Sequence, residues 1–519
     1  MESTFLVLGA GTMGMGIALL AAEHGEQVEL VESDAAARAR AAERTAGTTI
    51  QLLDRLPERS TARIALEAVP EVLEVKAAVL VEMERALPED AVLATNTSSL
   101  ALADLVEGLA RPERFLGIHF FNPPQQLPLV EIVEGPRSTE ESLEIARAFV
   151  ARLGKTAVAA SDTPGFIVNR VARPYYLQAL RALQAGIASC EEIDELCLGM
   201  GFKMGPFSLM DFIGLDINLA TTRSVFERSG AARLAPVAEQ AERVAQGLLG
   251  RKSGKGFYDY ASGERAPRAV APLEESGAAF DERVSVLGFG ALADEIATLI
   301  EARTSDVARI ENEEFLTGID PATTIAFDAG DGTTDRGTIL LELDTLLDPS
   351  CAIFVDAYST DLRALLARAT HPERFVGYGI LGELQAQQVV EIVDSDAVDD
   401  EMLELAEEFF AALGRRVVLV TLAPGLVLGR IVGSVVNEAM IAVHEGVATA
   451  EDIDLAMRLG TNYPLGPIAW GREIGGARIA RILRELARAE GTDFGPHRSL
   501  WMLDIEAGEE SAEFDEVIE

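Results

Sequence analysis

The chain has 519 residues, 48% hydrophobic and 25% charged, the make-up of an ordinary globular protein too long for a single core. A formal net charge of −40 excludes a broad surface for nucleic acid or an acidic membrane, and reads as solubility or adaptation to high internal salt. Three cysteines without a CxxC pair or nearby histidines argue against a zinc site or any other metal and are expected as buried small side chains. The N-terminus runs into a strand without the regions of a signal peptide, and no apolar run approaches the roughly 18 residues that span a bilayer, so a cytoplasmic protein is expected. Its five lysines, Lys76, Lys155, Lys203, Lys252 and Lys255, all fall in the first half, which makes each a candidate for a role.

In chain order, Phe5–Leu8 is a short apolar strand that stops at Gly9, and a helical pattern begins near Met13. Further strands are predicted at Val28–Val31, Arg63–Val69, Ala91–Thr95, Arg114–Phe120 and Leu129–Val133, with helical segments between most of them. That alternation predicts a parallel, doubly wound α/β sheet of the Rossmann kind. From Thr163 the strands stop and helical patterns run on to Arg251–Tyr258, after which a polar Pro/Gly-bearing stretch reads as a linker.

The pattern then restarts at Val284–Leu287. Arg111-Pro-Glu-Arg-Phe115 recurs as His371-Pro-Glu-Arg-Phe375, Val130-Glu-Ile-Val133 as Val390-Glu-Ile-Val393, and Pro164-Gly165 as Pro424-Gly425, all 260 positions on. The expected architecture is therefore an α/β domain followed by an all-α domain, the pair duplicated in tandem with a degenerate second copy. The boundaries are 1–161 and 162–262 for the first pair, 263–281 for the linker, 282–421 and 422–507 for the second pair, and 508–519 for an acidic tail.

Gly9-x-Gly11-x-x-Gly14 follows a strand and opens a helix, so Gly9, Gly11, Thr12, Met13 and Gly14 are expected to cradle the pyrophosphate of a dinucleotide on the helix N-terminus. Glu32, at the end of the second strand, is placed to meet the adenosine ribose hydroxyls, which favours NAD and repels the extra phosphate of NADP. His119 falls at the end of a strand in Gly117-Ile-His-Phe-Phe-Asn-Pro123. A histidine beside two phenylalanines is ordinarily a satisfied core residue, but strand ends at the carboxyl edge of such a sheet are where ligands bind. Glu131 interrupts the apolar strand Leu129–Val133 and needs a partner, for which an imidazole is suited.

Together with Glu71-x-x-x-x-Lys76, Asn96-Thr-Ser98-Ser99, Asp162-Thr-Pro-Gly-Phe-Ile-Val-Asn169-Arg170 and Met204-Gly-Pro-Phe207, these residues make the chain resemble the (S)-3-hydroxyacyl-CoA dehydrogenases. The likeness is dense over residues 1 to about 260, and the tandem layout resembles the long two-copy bacterial members, which include 3-hydroxybutyryl-CoA and 3-hydroxyadipyl-CoA dehydrogenases. It implies an NAD-dependent oxidoreductase acting on an acyl-CoA substrate, with His119 as general base, Glu131 orienting it, and Ser98 and Asn169 contacting the substrate or the base. Asn96 and Ser98 fall in the same cofactor-side loop, and Glu71, Lys76 and Asn122 line the nicotinamide ribose side in this family. Single-copy relatives dimerise through their helical domains, so the resemblance also implies an intrachain pseudo-dimer of helical domains, and leaves a further homodimer open. One departure stands out: the segment between Glu32 and Glu67 is short where mitochondrial-type enzymes carry a helical hairpin over the CoA tail, although Arg38, Arg40, Arg44, Arg55 and Arg59 could meet CoA phosphates.

In the repeat register Ser98 becomes Tyr358, His119 becomes Gly379, Asn122 becomes Gly382 and Asn169 becomes Gly429, while the carboxylate survives as Glu391. The second nucleotide loop, Gly288-x-Gly290-x-x-Ala293 with Glu311 beyond, is less degraded. The second half is expected to be architecture, against the alternative of a nucleotide site without turnover. For the whole chain, two other functions stay open: a dehydrogenase of a free 3-hydroxy acid, and a dinucleotide-binding protein without catalysis.

Overall fold

The computed structural model describes residues 4–262, 282–304, 306–310, 318–330 and 336–506. The expected linker at 263–281, Glu311 and the tail from 508 onward lie outside the described residues. The chain divides into two compact units: Met1–Ala172 with Ser224–Gly230 and Ala442–Asn462, and Arg173–Arg223 with Ala231–Ile441 and Tyr463–Glu519.

The first unit is built on eight strands: β1 (Thr4–Leu8), β2 (Gln27–Val31), β3 (Gln51–Leu53), β4 (Ile64–Glu67), β5 (Val92–Thr95), β6 (Phe115–Phe120), β7 (Leu129–Glu134) and β8 (Thr156–Ser161). Their order is β3-β2-β1-β4-β5-β6-β7-β8, so the chain reverses direction across the sheet between β1 and β4, where the turn after β1 opens into the helix Thr12–Glu23. Ligands of such sheets bind at this switch point. The central strands carry no polar face because both sides are covered: β4, β5 and β6 are buried throughout. Phe5, Val7, Ile17, Leu66, Ile118, Phe120, Val130 and Phe149 form part of one continuous core.

The sheet is parallel except for β6 against β7, which is antiparallel. The parallel, doubly wound plan is as expected, and this one pair departs from it through the length of the connection: only residues 121–128 join the two strands, and a parallel crossover needs a dozen or more. That reversal sets His119 directly opposite Glu131 in the ladder.

The second unit repeats the plan with β9 (Val284–Leu287), β10 (Val307–Ile310), β11 (Ile325–Asp328), β12 (Ala352–Asp356), β13 (Phe375–Gly379), β14 (Val389–Asp394) and β15 (Arg416–Thr421), in the order β10-β9-β11-β12-β13-β14-β15. β13 and β14 are again the antiparallel pair, with Gly379 opposite Glu391.

Each unit includes a helix encoded far from its sheet. In the first, the helix Ala450–Thr461 packs on β7 and β8, Ser161 N donates to Val447 O at 2.8 Å, and a Cβ on Gly460 would stand 2.8 Å from Leu129. In the second, the helix Cys190–Gly199 packs on β14, Thr421 N donates to Ile187 O at 2.9 Å, and a Cβ on Gly199 would stand 2.6 Å from Val389. The hydrogen-bonded pairs match in the 260-residue register, and the two glycines fall one position apart in it. Cys197 and Cys351 are buried free thiols as expected, whereas Cys190, at the first turn of its helix, is only partly buried. Among the described residues no helix is long and apolar enough to cross a membrane.

Candidate functional site

The glycine turn fits a dinucleotide. Gly9 has φ +101°, which an L side chain rarely adopts, and a Cβ there would also strike Ala68 O at 2.8 Å. A Cβ on Gly14 would meet Gly9 O at 1.9 Å, so the helix can approach the strand this closely only without one. Above Gly11 there is open space, and Gly11 and Thr12 are exposed with Met13 half-buried beside them. The helix Thr12–Glu23 has no side-chain cap and no acid in its first turn, so its leading N–H groups are available to an anion. Glu32 Oε2 accepts from Ala10 N at 2.9 Å and Oε1 from Asp34 N at 2.9 Å, which places its carboxylate beside the turn while leaving acceptor capacity for ribose hydroxyls. Between Glu32 and Glu67 lie the single helix Ala35–Thr45 and β3, and Arg38 is engaged there with the carbonyls of Glu32 and Ser33.

The second cluster is the histidine–carboxylate pair. His119 is 5% exposed and Glu131 0%, and Nδ1 stands 2.7 Å from Glu131 Oε2. Glu131 Oε1 accepts from Ile167 N at 3.1 Å and Val168 N at 2.9 Å, so both oxygens are engaged and the carboxylate cannot swing away. Those two N–H groups are aimed by a turn in which Gly165 has φ +80° and Phe166, a buried aromatic, has φ +49°. Left-handed backbone at a phenylalanine is strained. The second half repeats it at Leu426 (φ +43°), so the strained turn serves the carboxylate in both copies. Phe121 and Phe166 present ring edges to the imidazole at centroid distances of 4.7 and 5.8 Å. With Nδ1 on a carboxylate, Nε2 is the ring nitrogen left to accept a proton. Asn169 is half-buried in the one-turn helix Val168–Val171, next to Val168.

A third cluster holds the loop that carries Ser98. Glu71 Oε1 accepts from Thr97 Oγ1 at 2.6 Å, Ser98 N at 3.0 Å, Ser99 N at 3.0 Å and Ser99 Oγ at 2.8 Å. Burial alone would raise the Glu71 carboxyl, but Lys76 at 3.2 Å and these hydrogen bonds outweigh it and hold it below the ordinary range. Lys76 is 1% exposed and lies 2.9 Å from both oxygens of Glu67, itself 0% exposed at the end of β4. Glu67 also accepts from Thr95 Oγ1. Asn96 Oδ1 accepts from Phe120 N at 2.9 Å, tying β5 to the strand end beside His119. Asn122 is exposed beyond that strand end. Glu71, Lys76 and Asn96 thus brace the loop and strand ends, and Ser98 is half-buried among them. Sequence reasoning passed over Glu67, although a carboxylate closing the apolar strand Ile64–Glu67 is the signal that flagged Glu131.

In the second unit the equivalent positions also converge, but on a plug. Tyr358 Oη donates to Glu391, and Gly429 N donates to Tyr358 Oη at 3.2 Å. A Cβ on Gly379 would stand 3.0 Å from both Tyr358 Oη and Glu391 Oε2, and one on Gly429 would stand 2.6 Å from the tyrosine ring. The three replacements therefore fit one another: the phenol fills space that a histidine and an asparagine would need. Glu391 keeps its backbone donors, Val427 N at 2.6 Å and Leu428 N at 3.3 Å. Burial pushes its carboxyl up to about 7. At the nucleotide loop the helix Ala291–Glu301 has Asp294 in its first turn, where the first half has no acid.

The sequence models described as the NAD binding domain of 3-hydroxyacyl-CoA dehydrogenase match residues 4–57, 45–163 and 334–422, and those for its C-terminal domain match 165–260 and 425–511. The chain is similar to 3-hydroxyadipyl-CoA dehydrogenase of Escherichia coli (strain K12), with 34% identity over 513 residues and 94% of each chain covered. A probable 3-hydroxybutyryl-CoA dehydrogenase of Bacillus subtilis (strain 168) is 36% identical over 276 residues, 49% of this chain and 96% of its own. Among solved structures, a 3-hydroxybutyryl-CoA dehydrogenase from Escherichia coli K12 covers 98% of both chains with a TM-score of 0.76 and 32% identity. The duplicated layout is thus shared along the whole length of full-length relatives, and the shorter relative matches half of it. With the dinucleotide cradle intact in its first unit, the chain is an NAD-dependent oxidoreductase and belongs to the 3-hydroxyacyl-CoA dehydrogenase family.

Proposed function

We propose that the chain oxidises (S)-3-hydroxyacyl-CoA to 3-oxoacyl-CoA, reversibly, in its first half, with His119 as general base. The observation that carries this is the buried Nδ1–Oε2 contact of 2.7 Å, with the second oxygen of Glu131 held by two backbone N–H groups. Glu131 keeps the Nδ1 proton in place, so Nε2 accepts the proton of the substrate 3-hydroxyl, and the carboxylate stabilises the imidazolium that results. Ser98, positioned by Glu71, is placed to hydrogen-bond the substrate oxygen, and Asn169 to orient base and substrate. NAD, when bound on residues 9–14 with its adenosine ribose at Glu32, supplies the hydride acceptor. Glu71, Lys76, Asn96 and Asn122 shape the nicotinamide side, directly or through the loop they brace.

The second half is architecture in this reading. The Tyr358 plug and the acid at the head of its nucleotide helix support that, as do the reciprocal helices of the two units, which suit an intrachain pseudo-dimer of helical domains. The domain boundaries given above follow the same plan, and the free thiols suit the cytoplasm. The test is an NADH assay with acetoacetyl-CoA, a longer and a dicarboxylic 3-oxoacyl-CoA, and a free 3-oxo acid. Thioester turnover is expected, falling by at least about 10²-fold in His119→Ala with NAD binding retained and one NAD bound per chain. Activity on the free acid alone, or near-normal turnover in His119→Ala, would overturn the reading.

A further inference from the structure

Arg170 is buried in the helix Val168–Val171, and its Nη1 lies 2.6 Å from Glu445 Oε2. Glu445 is encoded in the second half, yet it belongs to the first compact unit with His119 and Glu131. It leads a segment that meets the end of β8, before the catalytic turn, and the turn itself at Val168. Ser161 Oγ donates to Gly446 O at 2.9 Å, Ser161 N donates to Val447 O at 2.8 Å, and Gly460 comes close enough that a Cβ would stand 3.1 Å from Val168 Cγ2. Val168 is the residue whose N–H grips Glu131, and Asn169 lies between it and Arg170.

The repeat provides the comparison. The counterpart of Arg170 is Arg430, which pairs with Glu490 at 2.9 Å, and the counterpart of Glu445 is Ala185, which has no carboxylate. The backbone hydrogen bond and the glycine approach to the strand occur in both units, but among the described residues the ionic hold from the other half of the chain is found on the side that keeps the histidine. In the second unit the equivalent arginine takes its carboxylate from its own half, so the origin of the partner is what distinguishes the side with the histidine.

We propose that Glu445 is a positioning residue for the catalytic site: by fixing Arg170 it holds the turn 167–170 that orients Glu131 and presents Asn169. The degenerate half then contributes to turnover as well as to architecture. This rests on the reading of His119 as the base. Half exposed, Glu445 can be replaced by Gln with the side-chain shape kept and only the charge removed.

The test compares the full-length parent, Glu445→Gln, Glu445→Asp and His119→Ala in the NADH assay with acetoacetyl-CoA, with thermal unfolding run on each. The expected result is a kcat at least about fivefold lower in Glu445→Gln, with the KM for NAD within twofold of the parent and partial recovery in Glu445→Asp. Full kcat in Glu445→Gln while His119→Ala is inactive overturns this inference alone, whether or not the melting temperature falls. A lower kcat matched by an equal rise in the KM for NAD also overturns it, because the defect then lies in the cofactor cradle. A parent without thioester turnover overturns the functional reading and this inference together.

Discussion

Glu131→Gln removes one charge and no volume at the centre of the site. In the native structure Oε1 accepts from Ile167 N and Val168 N while Oε2 faces His119 Nδ1. The two N–H groups retain the oxygen of the new amide, so its NH2 is turned toward the imidazole. The ring must then accept at Nδ1 and carry its proton on Nε2, the tautomer that cannot take a proton from the substrate. A hydrogen bond to a charged group is worth about 1.5–3 kcal/mol, or about 10- to 150-fold at 1.36 kcal/mol per factor of ten. The cost of restoring the reactive tautomer adds to this, so kcat is expected to fall by about 10²- to 10⁴-fold. Because Glu131 is fully buried and the amide fits its space, folding and NAD affinity should be little changed. The assay is NADH absorbance at saturating substrate, with NAD binding by fluorescence titration and a melting curve as controls. A kcat within about threefold of the parent, in a folded variant that binds NAD normally, would refute the role given to the pair.

Two further predictions concern the second unit. Gly429→Ala should destabilise the protein by about 1–3 kcal/mol through its overlap with the Tyr358 ring, but cost nothing in a Tyr358→Ala background. Additive losses in chemical denaturation would show that the ring does not fill that space. Burial raises the Glu391 carboxyl from its ordinary 4.5 to about 7, so the folded state holds its proton more tightly than the unfolded chain does. The stability this residue contributes is therefore complete below pH about 4.5 and is lost as the pH rises through about 7, a change on the order of 3 kcal/mol. Glu391→Gln should lack that part of the pH dependence, so its stability relative to the parent should rise between pH 5 and 8. Asp194, raised to about 6 by burial, is common to both proteins and drops out of the difference. A parent–variant difference that stays constant with pH would contradict the assignment.

The pieces of the site that could be read from the sequence were those with a strong local contrast. Glu131 in an apolar strand and Gly9, Gly11 and Gly14 between strand and helix are each anomalous within a few residues, and the antiparallel ladder then seats His119 where the carboxylate needs it. Glu67 carries the same contrast, but its partner Lys76 sits nine residues on, on a helix that follows the strand. β3 and β8 escaped notice because Gln51–Leu53 is short and partly exposed, and Thr156–Ser161 is half alanine, with Thr156 and Val158 as its β-branched residues. Least legible was the exchange of helices between the two halves of the sequence. The apolar faces of Cys190–Gly199 and Ala450–Thr461 announce that each is covered, but two near-copies of one sheet offer equivalent partners, and only the tertiary fold decides between them.

That exchange bears on how the protein is made. The sheet bearing His119 is complete in sequence at Ser161, but the helix that covers β7 and β8 begins at Ala450, almost 290 residues later. At roughly 5–20 residues per second, a ribosome needs about 15–60 s to deliver it. During that interval Leu129, Val168 and their neighbours stand uncovered on the nascent chain. A message truncated after the first pair of domains would lack this cover within the chain, which ties the half that has lost its histidine to the completion of the half that keeps it.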